Sequence, residues 1–120
     1  MKKRFLPVAL GILAAAFVQL AAAQTVRLFC NNPDYRNNSV VEVNYEARTV
    51  TWWGAASPDN RLGPISARIT EFDIVWDGVG SARGINYRID RVSGEKTSCD
   101  REGCWPKSQC KPADQVQRQF

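Results

Sequence analysis

The clearest pattern in this chain is a regular alternation of apolar and polar residues between positions 65 and 99. Three successive segments place apolar side chains at every second position: Ile65, Ala67 and Ile69; Phe72, Ile74 and Trp76; Ile85, Tyr87 and Ile89. A period of two is typical of β-strands with one buried and one wet face. This stretch therefore predicts an antiparallel β-meander.

Turn-forming residues separate the predicted strands of the meander. The predicted reversals are Thr70-Glu71, residues 77–84 and residues 90–94. The second reversal contains three glycines, which permit positive φ angles wherever the loop needs them. In the third, Asp90 is expected to accept hydrogen bonds from turn amides, and Gly94 is expected to take the left-handed position of a hairpin loop.

Upstream of the meander, the same alternation predicts a first strand at residues 26–30 and a hairpin. The two strands of that hairpin are residues 40–45 and 49–53, with a turn around Glu46-Ala47. Residues 54–64 are rich in Gly, Ser, Pro, Asp and Asn, which predicts a long surface loop. Residues 112–119 are expected to form a turn of helix or to fray.

Seven candidate strands predict an all-β fold, in which a single antiparallel meander curls into a small barrel or rolled sheet. A sandwich of two sheets is the alternative. The predicted core consists of Leu28, Val41, Val43, Val50, Trp52, Ile65, Ile69, Phe72, Ile74, Trp76, Tyr87 and Ile89.

The first 23 residues have the layout of a secretory signal peptide, with a basic start, an apolar run and Ala21-Ala22-Ala23 before the expected cleavage site. An uncleaved membrane anchor is the alternative, but the apolar run is short for a span of about 20 residues. We therefore expect one β domain at residues 24–110, a C-terminal tail at 111–120 that frays, and no transmembrane segment after cleavage. The short basic start indicates a bacterial protein that is periplasmic or secreted.

Removing the signal peptide also removes most of the net positive charge. Lys2, Lys3 and Arg4 account for three of the 16 basic residues, which leaves 13 against 12 acidic residues. A net charge near +1 gives no electrostatic reason to expect nucleic-acid binding. The remaining 97 residues suffice for one domain with a thin core.

Four cysteines in an exported chain predict two disulfide bonds. A zinc site is the alternative, but the chain has no histidine and no Cys-x-x-Cys pair. Cys30 is expected to reach the C-terminal cluster, because the other three cysteines all lie between residues 99 and 110. The sequence leaves the connectivity open, and we favour Cys30 with Cys110 and Cys99 with Cys104.

No catalytic constellation accompanies this fold. Without histidine the usual partners of a nucleophilic serine or cysteine are absent. Glu71, Asp73 and Asp77 are close in sequence and suggest general acid–base catalysis of the glycosidase type. However, Asp73 and Asp77 occupy the polar positions of a strand, which favours a solvated face. We expect neither enzymatic activity nor a cofactor or metal.

Several short motifs support the predicted β-meander: Ala67-x-Ile69-Thr70, Ile74-x-Trp76, Tyr87-x-Ile89-Asp90-Arg91 and Ser93-Gly94. Together they resemble small exported bacterial β-meander domains, most of which have no assigned function. The resemblance covers roughly residues 28–99. It implies the fold and no particular chemistry.

A second resemblance concerns Ser81-Ala82-Arg83-Gly84 and the Tyr87 that follows. This segment is similar to the Ser-Ala-Ser-Gly-Ala-x-Tyr loop of the periplasmic and lipoprotein inhibitors of C-type lysozyme, which are small β-barrels. Here arginine replaces the second serine, and the spacing to the tyrosine is longer. The resemblance implies that this loop makes an inhibitory contact.

Aromatic residues outside the inward positions indicate a binding surface, since aromatics and arginine are enriched at protein interfaces. Phe29, Trp53 and Trp105 belong to this group. The alternative is that the loop at residues 54–64 or the C-terminal segment covers them.

We therefore expect a protein-binding module whose partner is another exported protein. An inhibitor or immunity partner of a cell-wall hydrolase is the first hypothesis, and a structural or accessory envelope protein is the alternative. The residues expected to bind are Trp53, Ser81, Arg83 and Tyr87.

Overall fold

The computed structural model describes residues 25–34 and 38–113 of the 120-residue chain. The predicted signal peptide and most of the predicted C-terminal tail lie outside the described residues. Within them the chain forms strands β1 (Thr25–Asn31), β2 (Ser39–Asn44), β3 (Thr49–Gly54), β4 (Leu62–Ser66), β5 (Arg68–Ile69), β6 (Asp73–Asp77), β7 (Asn86–Asp90), β8 (Glu95–Asp100), β9 (Gly103–Cys104) and β10 (Ser108–Pro112).

All of these strands belong to one antiparallel sheet that curls into a nearly closed barrel. The strand order is β4-β3-β2-β1-β10-β8-β7-β6-β5, with β9 paired to β8. The two ends of this order, β4 and β5, are separated in sequence by Ala67 alone. One bent segment therefore pairs with β3 by its first half and with β6 by its second half. The predicted all-β curled meander is confirmed.

Two disulfides fasten this barrel with the pairing favoured from the sequence. Cys30 of β1 and Cys110 of β10 are register partners and are bonded to each other, so they join the strands nearest the two ends of the described chain. Cys99 and Cys104 are bonded across the short β8–β9 hairpin. The bond between Cys30 and Cys110 thus spans most of the domain, whereas the second closes a local loop.

The barrel interior holds most of the predicted core. The buried apolar residues include Val41, Val43, Val50, Trp52, Ile74, Trp76, Tyr87 and Ile89 from that prediction, together with Cys30, Ala82 and Cys110. Leu28, Ile65 and Ile69 are partly buried against this core. The rings of Trp52, Trp76 and Tyr87 form an aromatic cluster with centroids 5.2 to 5.7 Å apart.

Phe72 was wrongly predicted to be in the core, since 64% of its surface is exposed. It shares parity with Ile74 and Trp76 but lies outside the paired part of β6, which begins at Asp73 opposite Asp90. The Thr70 hydroxyl accepts hydrogen bonds from the amides of Phe72 and Asp73. This turn directs the Phe72 side chain away from the barrel.

Three parts of the sheet were not predicted. β4 begins at Leu62, within the segment expected to be a loop, and β9 and β10 lie in the segment that contains Cys104 and Cys110. β10 pairs with β1 as far as Pro112, so the sheet extends two residues beyond the expected domain boundary at residue 110.

Candidate functional site: a cavity at one end of the barrel

A cavity of about 440 Å³ lies at the end of the barrel where β6 leads into β7. Strands β7 and β8 contribute to its lining, together with the end of β3 and the beginnings of β2, β4 and β10. The rest comes from the segment between β3 and β4, residues 81 and 85, and the segment after Cys104. The lining contains four aromatic residues, five serines and one lysine. We call this the barrel-end cavity.

Lys96 of β8 is the charged residue in the lining of this cavity. Only 8% of its surface is exposed. Its ammonium donates a hydrogen bond of 3.2 Å to the Ser39 hydroxyl and lies 5.2 Å from the centroid of the Tyr87 ring. Among the described residues, no carboxylate forms an ion pair with it. Lys96 is therefore a buried cation with neutral neighbours.

Burial without a counter-ion shifts the ionisation of Lys96. Desolvation penalises the charged form and lowers its pKa from 10.5 to about 8. The side chain is still mostly protonated at neutral pH, because that pKa lies above 7. The cavity therefore carries one positive charge under ordinary conditions.

Tyr87, a predicted binding residue, forms part of the cavity wall and is buried. Desolvation raises the pKa of its phenol, and a hydrogen bond with the Trp52 side chain partly opposes that shift. The phenol is consequently neutral at physiological pH. Its position inside the barrel means that a ligand reaches Tyr87 only by entering the cavity.

Trp53, also predicted to bind, is 5% exposed and therefore does not offer an open aromatic surface. The guanidinium carbons of Arg61 and Arg27 lie 4.0 and 5.4 Å from the centroid of its ring. Arg61 belongs to the segment between β3 and β4, so the loop at residues 54–64 covers Trp53, as the alternative interpretation supposed. Such cation–π contacts stabilise the covered position.

The 77–84 loop presents the other two predicted residues, Ser81 and Arg83, at the surface. Residues 80–82 form a single 3₁₀ turn, in which Ala82 is buried as an anchor. The amides of Ala82, Arg83 and Ile85 donate to carbonyls within the same loop, and Gly78 donates to Ile85 at 2.7 Å. These hydrogen bonds stabilise this conformation of the loop.

Gly78 is required by the close packing of this loop. A Cβ atom at that position would lie 2.1 Å from the carbonyl oxygen of Ala82, far inside van der Waals contact. A residue with a side chain would therefore displace the 3₁₀ turn. The exposed positions of Ser81 and Arg83 depend on that glycine.

Trp105 completes the rim of the cavity from the opposite side. It follows the disulfide at Cys104, and its amide donates to the carbonyl of Ser98 at 2.9 Å. Its side chain is half-buried and lines both the barrel-end cavity and a neighbouring depression that includes Arg83. Trp105 therefore contributes to both the barrel-end cavity and the depression that includes Arg83.

The four predicted residues therefore lie at the same end of the barrel. Trp53, Ser81 and Tyr87 line the barrel-end cavity, and Arg83 lines the depression beside it. The four residues differ in solvent accessibility, since Ser81 and Arg83 are exposed whereas Trp53 and Tyr87 are buried.

Lys96 was missed by sequence reasoning. Its strand, β8, has no alternation of apolar residues, because Glu95, Lys96, Thr97 and Ser98 are all polar. Neither face could therefore be assigned as inward from that strand alone. The only clue was its predicted antiparallel pairing with the Tyr87 strand.

Two of the three carboxylates considered for catalysis, Asp73 and Asp77, interact with polar side chains of the neighbouring strand β7. Asp73 forms an ion pair of 3.2 Å with Arg88, and Asp77 accepts a hydrogen bond of 3.0 Å from the side-chain amide of Asn86. In the part of the chain that the structure describes, no group of three His, Cys, Asp or Glu residues could hold a metal ion.

Within residues 25–34 and 38–113, no helix has the length and apolar character needed to cross a membrane. Two disulfides are typical of proteins that fold in an oxidising compartment outside the cytoplasm. Comparison with known proteins finds no matching family model, no matching curated protein and no matching solved structure.

Proposed function

We propose that this protein is an exported binding module that recognises another exported protein with the end of its barrel. The partner we propose is a cell-wall hydrolase, which the module inhibits or against which it confers immunity. The observation that supports this function best is the internally hydrogen-bonded 77–84 loop, which presents Ser81 and Arg83 beside Trp105.

A loop that is already ordered loses little conformational entropy when it binds, so more of its contact energy appears as affinity. The buried Ala82 and the close fit of Gly78 keep this loop in place before any partner arrives. The same geometry allows the loop to enter a cleft without rearrangement.

Two side chains on this surface, Arg83 and Trp105, suit an acidic cleft, although Asp100 and Glu102 line the same depression. Arg83 offers a planar fork of N–H donors that matches a carboxylate, and hydrolases of glycans carry carboxylates at their catalytic centres. Trp105 adds an aromatic surface of the kind that is enriched at protein interfaces. A loop inserted in this way blocks an enzyme without performing chemistry.

The experiment is a pull-down from periplasmic and secreted extracts with the purified, disulfide-bonded protein, followed by mass spectrometry. We expect stoichiometric recovery of a wall hydrolase. Arg83→Ala is the test variant for this surface. Arg68→Ala is its matched control, because Arg68 of β5 is exposed and lies outside the surface. Recovery of envelope-assembly components without a hydrolase would instead support a structural or accessory role.

Against the recovered hydrolase, Arg83→Ala is expected to weaken binding by about 1 to 3 kcal/mol, the scale of a lost charged hydrogen bond. The thermal midpoint should change little, because Arg83 is exposed. Isothermal titration calorimetry and thermal unfolding measure the two quantities. Unaltered affinity in both Arg83→Ala and Ser81→Ala would remove this loop from the mechanism.

A further inference from the structure

We infer that the barrel-end cavity is a binding site for a small molecule that carries one carboxylate on an apolar body, and that Lys96 binds the carboxylate. This site is distinct from the exposed Arg83, although Ser81 and Trp105 belong both to the cavity lining and to the surface proposed to bind a protein. It therefore does not depend on the identity of a protein partner.

The first argument is that Lys96 is buried without a counter-charge. An ammonium group has three N–H donors, and the Ser39 hydroxyl accepts from one of them. Burying an unpaired charge is costly, whereas an apolar side chain of similar length would fill the same space without that cost. An anionic ligand therefore explains the charge of Lys96 better than its contacts with Ser39 and Tyr87 do.

The second argument concerns the sign and number of charges. The cavity lining contains the single positive charge of Lys96 and no Asp or Glu side chain. A monoanion neutralises this charge, whereas a doubly charged phosphate would leave a negative charge buried without a partner. The site therefore fits a carboxylate better than a phosphate.

Hydroxyl groups near Lys96 supply further donors for the two carboxylate oxygens. Ser108 is the register partner of Lys96 on β10, and Ser98 lies two positions along β8 on the same face. Both residues line the cavity with Ser39. A carboxylate that accepts from the ammonium can also accept from a serine hydroxyl.

The rest of the lining suits an apolar body. Trp52, Tyr87 and Trp105 line the cavity together with Leu62 and Ile85. The cavity volume of about 440 Å³ falls within the range of small-molecule pockets, which also combine apolar walls with a few polar groups. A bare inorganic anion would leave these aromatic walls without a contact.

The test uses 4-phenylbutyrate, indole-3-acetate and octanoate as probes, each compared with its neutral amide. Binding to the full mature protein is measured by calorimetry and, for the non-indole probes, by tryptophan fluorescence, since three tryptophans line the cavity. We expect saturable binding of at least one acid, with its amide about 10- to 100-fold weaker, the scale of a charged hydrogen bond.

Lys96→Met removes the charge while keeping a chain of similar length, and we expect it to weaken binding of the acid by about 10- to 100-fold. Lys96→Arg should retain most of the affinity. Lys111→Met removes an exposed lysine from β10 and should change nothing. Arg83→Ala should also bind the acid like the unmodified protein, which separates this site from the proposed protein interface.

Circular dichroism and the thermal midpoint verify that each variant is folded. The inference is overturned by equal affinity for acid and amide, or by unchanged affinity in folded Lys96→Met. It is also overturned if inorganic phosphate binds as tightly as the acids, or if none of the three acids saturates below about 10 mM.

Discussion

Ile74 is among the most completely buried side chains, with 1% of its surface exposed, and it packs in the middle of the barrel. Ile74→Ala should lower the free energy of unfolding by about 2 to 5 kcal/mol, because it removes apolar contacts and leaves a cavity. Urea unfolding measures this change. Val92 is 83% exposed, so Val92→Ala is the control and should stay within about 0.5 kcal/mol of the unmodified protein. Similar losses in both variants would contradict the assigned core.

Lys96 should also make stability depend on pH in an unusual direction. Below about pH 8 the lysine is protonated in both the folded and unfolded states, and the folded state bears the cost of the buried charge. Between about pH 8 and 10 the folded protein loses the proton while the unfolded chain, with an ordinary pKa of 10.5, retains it. Because the unfolded state then binds more protons, stability should rise with pH.

The full shift of the Lys96 pKa corresponds to about 3 kcal/mol, most of which should be gained by pH 10. Urea unfolding at several pH values measures it, with Lys96→Met as the reference that shares every other titrating group. The raised pKa of Tyr87 acts oppositely above pH 10, which sets the upper limit of the window. Parallel pH profiles for the two proteins would show that Lys96 is not buried as a charge.

At the residue scale, parity in the sequence identifies buried positions only where the residues before and after the position are paired with a neighbouring strand. Ile74 and Tyr87 satisfy that condition, and both are buried. Phe72 has the same parity as Ile74 but lies in the turn, where the Thr70 hydroxyl decides its direction. Burial of Trp53 depends on Arg61 from a separate loop, and sequence periodicity contains no information about such a contact.

In the 77–84 loop, replacement of Gly78 is expected to lower the stability of the fold. Gly78→Ala would place a Cβ atom against the Ala82 carbonyl and should cost about 1 to 3 kcal/mol by overpacking. Thermal unfolding measures this cost, and binding to the recovered hydrolase should weaken because the loop moves. Gly54→Ala is the matched control, since nothing lies within 4 Å of a Cβ at that position. Equal stability of the two variants would contradict the packed loop.

At the scale of elements, the predicted reversal at residues 90–94 is confirmed in detail because its chemistry is local. The Asp90 carboxylate accepts hydrogen bonds from the amides of Ser93 and Val92, which hold the pKa of Asp90 below its usual value. Gly94 adopts a φ of +80°, the left-handed region expected from the sequence.

β10 illustrates why other elements could not be predicted. Only Cys110 of this strand is buried, so the sequence contains no alternation of apolar residues there. The strand forms because β1 and β8 offer hydrogen-bonding partners on both sides and the disulfide to Cys30 fixes its register. These are long-range interactions, which a local pattern does not contain.

For the whole molecule, the sequence predicts the class of fold but not how the barrel closes. Neighbouring strands along the meander pair with each other, as tight reversals require. Closure depends on two further features: the bend at Ala67 between β4 and β5, and the pairing of β1 with β10. The barrel-end cavity exists only because of that closure, since its lining comes from strands that are distant in sequence.

Closure also predicts that the two disulfides contribute unequally to stability. The bond between Cys30 and Cys110 spans 80 residues and fastens β1 to β10, whereas that between Cys99 and Cys104 spans five. In the chain-entropy model these loops correspond to about 4 and 2 kcal/mol. The double variant Cys30→Ala with Cys110→Ala should therefore be the less stable of the two double alanine variants in urea unfolding.

The variant with Cys99→Ala and Cys104→Ala should keep the barrel but loosen the segment that holds Trp105 at the rim of the cavity. We expect it to remain cooperatively folded while it loses affinity for the carboxylate probes that contact Trp105. Urea unfolding and calorimetry measure the two effects on the same samples. A five-residue loop restricts the unfolded chain far less than a loop of 80 residues. A greater loss of stability in this variant than in the variant without Cys30 and Cys110 would therefore contradict the conclusion that the pairing of β1 with β10 closes the fold.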